Sequence, residues 1–217
     1  MSLESGRKFG YYASLINVIL PIVSVVSVVA IIVSIIAASA TRIANSTVGP
    51  VFSVFGGLII FLIFIGGTNI VAYFMFFYSM YSLSNYYKEP AIFKNILYAF
   101  IVSIISVGVV FTLEFGVIIS AIAGISPTNT PSAVTPSFMQ IILTYTVVFV
   151  AALAFAIVNG LLYMRAFNKL GEKSGVDNFK TAAILYIIGA IIPLVTWIAW
   201  IFSTMAFNKL KQSLPVT

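Results

Sequence analysis

Cysteine and histidine are both absent from this chain, and charged side chains make up only 7% of it. Without cysteine there is no disulfide, no iron–sulfur cluster and no thiol nucleophile. Without histidine the commonest zinc ligand, the usual haem ligand and the usual general base are gone. Acid–base or metal work would fall to five carboxylates, Glu4, Glu89, Glu114, Glu172 and Asp177. Most of them sit between apolar stretches rather than in pairs, so paired acid–base chemistry has almost no material. Neither Gly-x-x-x-x-Gly-Lys nor Gly-x-Gly-x-x-Gly occurs, so there is no phosphate cradle. No catalytic, metal-binding or cofactor-binding residue is therefore assigned, and a non-enzymatic protein is expected.

The shortage of charge is itself informative. A soluble domain carries about 25% charged residues and must cover a large water-facing surface with them. This chain is 61% hydrophobic with a mean hydropathy of +1.15, which leaves too few polar groups for that surface. The lipid bilayer is the solvent that fits. The net charge of +6 is spread over the ends of apolar stretches. That pattern reads as membrane orientation, and no nucleic-acid partner is expected.

What the chain does contain is five long apolar stretches, at about 9–40, 51–83, 93–124, 137–164 and 181–207. A hydrocarbon core of about 30 Å needs about 20 helical residues. Backbone groups in lipid must bond internally, and none of the stretches shows the two-residue alternation of a barrel strand. The expected fold is all-α, a single polytopic transmembrane bundle of about five spanning helices. The first stretch follows Arg7-Lys8 and ends near Ala38-Ser39-Ala40, in the manner of a signal peptide, but it is twice the length of a signal core and is read as a retained span. Pro21 inside it is a candidate kink.

Lys and Arg cluster at one set of connections: Arg7 and Lys8, Lys88 and Lys94, and Arg165, Lys169, Lys173 and Lys180. The 41–50 connection holds only Arg42, and 125–136 holds none. The positive-inside rule then places the amino terminus in the cytoplasm, in a multi-pass cell-membrane protein. Tyr11, Tyr12, Tyr78, Tyr81, Tyr86, Tyr87, Tyr98, Tyr163 and Tyr186 lie beside the basic connections, as rings of the headgroup layer do. Asn45-Ser46-Thr47, the only Asn-x-Ser/Thr acceptor for glycosylation, falls in an outward connection. The uncharged Ser126–Ser137 connection also faces outward.

The last stretch poses a conflict. Crossing once puts Lys209 and Lys211 outside, against the charge rule, whereas a hairpin broken at Pro193 returns them. Ala166-Phe167-Asn168-Lys169-Leu170 recurs as Ala206-Phe207-Asn208-Lys209-Leu210, which favours a shared face. Two full crossings need about 40 residues, and length therefore favours a single crossing, with the hairpin as the alternative. Tyr78–Phe100 and Tyr163–Ile188 also share an order of features, including Phe-Lys after a basic connection, and form a candidate internal repeat.

Four intramembrane polar residues are candidate sites. Glu114 is the only acid inside an apolar stretch, about 21 residues or about 31 Å beyond Phe93, near the far interface. Asn17, Asn69 and Asn159 are expected to be buried amides that bond between helices or line a solute path. Small residues spaced for helix contact are Gly116, Ser120 and Gly124, then Ala152, Ala156 and Gly160, with Gly56-Gly57 and Gly66-Gly67 on the second span. The connection Asn168–Lys180 reads as a charged turn open to a partner.

The segments LSNYYKEPAIFKNILYAF (Leu83–Phe100) and YMRAFNKLGEKSGVDNFKTAAILYIIGA (Tyr163–Ala190), with the closing AFNKLK (Ala206–Lys211), resemble the domain-of-unknown-function 996 family. The resemblance implies a multi-pass membrane protein of prokaryotic, mostly archaeal type and supplies no activity or site residue. The leading expectation is a scaffold or accessory subunit, joined to other membrane subunits or to copies of itself. A small-solute or ion transporter or channel is the alternative, and an intramembrane enzyme ranks last.

Overall fold

The computed structural model describes residues 2–42, 49–123 and 138–210. Six helices follow in order: α1 (Leu3–Arg42), α2 (Gly49–Tyr86), α3 (Pro90–Ala123), α4 (Phe138–Ser174), α5 (Asp177–Gly189) and α6 (Pro193–Lys209). The first four contain segments long and apolar enough to cross a membrane. Their outward faces carry exposed Val, Ile, Leu and Phe along their length, a surface suited to lipid. This is a helical bundle of an integral membrane protein, as its composition requires. Asn45 and the Ser126–Ser137 connection lie outside the described residues, as does Lys211.

The fifth apolar stretch departs from expectation. Instead of one crossing it forms two short antiparallel helices. α5 has 13 residues and α6 has 17, so they rise about 20 and 25 Å, each short of a 30 Å core. The break has a local cause. A residue before proline is driven from helical to extended backbone, and Ile192 adopts φ −118°, ψ 94° immediately before Pro193 at the start of α6. The length objection to a hairpin disappears because neither arm crosses. Tyr186 and Ser203 share a 3.1 Å hydrogen bond, Phe179 meets Phe207 at 5.1 Å, and Lys209 Nζ donates to Asn178 Oδ1 at 3.0 Å. The end of α6 therefore lies at the same end of the bundle as the start of α5.

A second correction concerns Asn168–Lys180. α4 continues through Ser174, and only Gly175 and Val176 separate it from α5. Leu170 and Phe179 are fully buried, so packing holds this segment helical where its polarity suggested a turn. Gly175, at φ 70°, makes the reversal that a side chain would resist.

Each helix packs on the next, and α6 returns to α1, closing a ring, with Phe76 of α2 inside it against Tyr163 and Phe167 of α4 and Trp200 of α6. The candidate repeat is visible as an aromatic ladder. Between α2 and α3, Tyr81 meets Phe93 at 5.1 Å and Phe77 meets Phe100 at 5.5 Å. Between α4 and α5, Phe167 meets Phe179 at 5.8 Å and Tyr163 meets Tyr186 at 5.0 Å. All four positions move by the same 86 residues (77 to 163, 81 to 167, 93 to 179, 100 to 186). The twice-occurring Ala-Phe-Asn-Lys-Leu also plays one role twice. Its Ala, Phe and Leu are fully buried in α4 and in α6, and the two phenyl rings approach at 6.5 Å.

Candidate functional site

The polar residues singled out in the sequence separate into three places. Asn159, on α4, donates from Nδ2 to Ser103 Oγ on α3 at 2.6 Å. Ser103 spends its own proton on the Ala99 carbonyl at 2.9 Å, so its oxygen can only accept, and the amide must present nitrogen to it. The oxygen Oδ1 is left buried without a hydrogen-bond partner. Such groups are rare in folded proteins. Asn159 lines a cavity of about 320 Å³ with Gly160, Tyr163, Tyr186, Gly189 and Thr196.

Asn17 lies on the opposite side of the hairpin. Its Nδ2 donates to the Ala13 carbonyl at 2.8 Å, a bond within its own helix. With Pro21, Val25, Val26, Trp197 and Trp200 it borders a second cavity of about 540 Å³ between α1 and the start of α6. Pro21 has no N–H to offer the Asn17 carbonyl, yet α1 continues through it to Arg42. One turn below, Trp197 Nε1 donates to the Val18 carbonyl at 2.8 Å and pins α6 to α1. Both cavities touch Pro193, Thr196 and Trp200, so they flank one structural device, the tip of the hairpin.

Asn69 is not buried. It is exposed on the outer face of α2, where its Nδ2 bonds the Ile65 carbonyl at 3.0 Å. It follows Gly66, Gly67 and Thr68, and a methyl group on either glycine would meet nothing within 4 Å. The two expected packing ridges thus divide. Gly160 is engaged inside the chain, with a hypothetical Cβ 3.0 Å from the Tyr186 carbonyl, whereas Gly108 and Gly116 of α3 are open like Gly66 and Gly67. Glu114 and Ser120 stand in α3, but their side chains lie outside the described residues, as do the surroundings of Gly56 and Gly57 and the whole of Gly124.

The basic end gathers the remaining charge. Lys173 approaches Glu89 at 3.7 Å, joining α4 to the α2–α3 turn, while Lys8–Glu4, Lys169–Glu172 and Lys180–Asp177 pair within helices at 2.8 to 3.0 Å. Exposed pairs of this kind contribute little to stability, because solvent screens them. Tyr87, in the α2–α3 turn, has its phenol pushed up to about 12 by burial, with repulsion from Tyr86 adding to it. Among the described residues no three His, Cys, Asp or Glu side chains gather as metal ligands would.

Sequence reasoning found Asn17 and Asn159 as rare amides in apolar helices. It missed Ser103, Trp197 and Trp200, whose roles depend on which helices become neighbours. A family model described as a protein of unknown function, DUF996, matches residues 68–207. No curated protein and no solved structure matches the chain. The matched segment begins inside α2 and ends inside α6, so it contains both aromatic ladders and the hairpin, while α1 lies outside it.

Proposed function

Since this chain belongs to the domain-of-unknown-function 996 family, a description that carries no chemistry, we propose from its own surface that it is a non-enzymatic scaffold or accessory subunit. The carrying observation is that Gly66 and, one turn on, Asn69 are exposed within the apolar stretch of α2. In lipid there is no hydrophobic drive between helices, and association relies on close backbone approach and on polar groups that bond across. The open backbone at Gly66 and the outward amide of Asn69, three residues on, supply both on one face of α2. Gly108 and Gly116 extend the supply of open backbone to α3. The partner is another membrane helix, from a second copy or from another subunit. The amino terminus and the end of α6 face the cytoplasm in this reading, because the basic residues collect at their end of the bundle.

The test is gentle extraction followed by native mass determination of the full chain. A homo-oligomer or a complex of fixed stoichiometry is expected, and Gly66→Leu with Asn69→Leu should reduce it to a monomer of unchanged helix content. A wild-type monomer would overturn the proposal.

A second reading, transport of a small uncharged solute, has one observation in its favour. Asn159 keeps an unpaired buried oxygen beside a cavity at a membrane-embedded helix break, where transporters place their sites. Asn159→Leu should then abolish uptake into reconstituted vesicles while leaving the fold intact. Equal uptake with and without the amide removes this reading.

A further inference from the structure

The hairpin fills only part of the bundle. Nearly all fully buried side chains lie at the basic end. Among the described residues of α1 none beyond Leu20 is buried, and of α3 none beyond Ala99. α5 and α6 stop at Ala190–Ile192, yet α1 runs on from Val18, the residue bonded by Trp197, to Arg42, a further 36 Å or so. α4 likewise begins well beyond Gly160. Past its tip nothing of this chain's α5 or α6 accompanies α1. The cavity of about 540 Å³ is a gap between α1 and that tip, lined by α1 and the start of α6.

The chemistry of the gap selects its occupant. Ile191, Ile192 and Leu194 at the tip are 65%, 52% and 70% exposed, and Val25 and Val26 on the α1 wall are each 64% exposed. Of the polar groups nearby, the Trp197 N–H is turned to the Val18 carbonyl and the Asn17 Nδ2 to that of Ala13. Water against such a surface is unfavourable by about 25 cal/mol for each Å² of apolar area, and a polar solute would lose hydrogen bonds there. The volume lies in the range of small-molecule pockets, about 300–1,000 Å³. We propose that an acyl chain of a phospholipid, from the leaflet opposite the basic end, enters beside α1 and rests on the hairpin tip as a bound lipid.

Trp197 and Trp200 are the only two tryptophans of the chain, and both border the cavity, so intrinsic fluorescence reports directly on it. The full-length protein in detergent is titrated with phosphatidylcholine brominated in the middle of its acyl chains. Saturable quenching near equimolar lipid is expected, stronger than with bromines beside the ester group. Val25→Phe with Val26→Phe fills the gap and should raise the lipid needed for half-quenching at least tenfold. Val25 and Val26 lie about two turns along α1 from the Val18 carbonyl that Trp197 bonds, and retained helix content checks the fold. Three results would overturn the proposal. Quenching could rise in proportion to lipid without saturating, or be equal for both bromine depths. Alternatively, iodide in the water could quench the wild type strongly, showing a wet cavity. Saturation and depth dependence are read on the wild type, so a misfolded variant leaves the proposal testable.

Discussion

Side chains that touch nothing and side chains that cannot be added define this molecule at the residue scale. A Cβ on Gly189 would collide with Thr196, including its backbone nitrogen at 2.6 Å and Cα at 2.9 Å. Backbone cannot swing aside as the end of a lysine can, so relief would require the hairpin arms to separate. Overpacking of this kind costs about 1–3 kcal/mol, and Gly189→Ala should lower the thermal midpoint of the detergent-solubilised protein by that equivalent. Gly67, on the side of α2 away from Asn69, is the internal control. Its Cβ has open space, and alanine is favoured over glycine in a helix by about 1 kcal/mol. Gly67→Ala should therefore leave the midpoint unchanged or raise it. Equal losses for the two substitutions would mean that the tip is not closely packed. The sequence alone displayed both glycines as small residues in apolar runs, since what surrounds a helical glycine is decided by its neighbours in space.

Among the elements, the four long helices were legible because length and apolarity are enough to define a span, and each begins and ends within a few residues of the expected boundary except at the start of α1, six residues early, and at the end of α4. That end extends because Leu170 and Ser174 are buried against α5, a tertiary effect. The last stretch was misread for a different reason. Its residue count suits one crossing, and counting cannot distinguish a tilted helix from two arms that turn back within the bilayer. The signals that did distinguish them were local: an extended Ile192 before Pro193, and a repeated pentapeptide whose two copies were both suited to one face. The consequence is a topology that can be measured without background, because the chain has no native cysteine. Cysteines placed singly by Lys8→Cys, Lys173→Cys and Asn208→Cys should all react with an impermeant maleimide from the same side of sealed vesicles. Reaction of Asn208→Cys from the opposite side would restore the single crossing and remove the hairpin.

For the whole molecule, the ring closes through a helix that lies outside the family-matched segment. α1 nevertheless docks on residues inside that segment. Ser79 Oγ donates to the Gly6 carbonyl at 2.6 Å, Ser82 Oγ to that of Ser2 at 3.3 Å, and Trp197 Nε1 to that of Val18 at 2.8 Å. Gly6 and Gly10 permit this approach, since a Cβ on Gly6 would reach Leu83 at 2.8 Å and one on Gly10 would meet Phe207. Each bond ends on a backbone carbonyl of α1, so what the rest of the chain recognises is a close, smooth helix surface at the basic end. Hydrogen bonds within membranes contribute about 0.6 kcal/mol on average, and the larger share of the attachment must come from the packed contact itself. Such an interface does not need a covalent connection. Residues 49–217 produced alone should be protease-sensitive and aggregate on extraction, because Phe207, Leu83 and the Trp197 indole lose their cover. Co-production with residues 1–48 as a separate peptide should restore a complex that copurifies and melts near the intact chain. Normal behaviour of residues 49–217 alone would show that α1 is an addition to a self-sufficient five-helix unit rather than the segment that closes the ring.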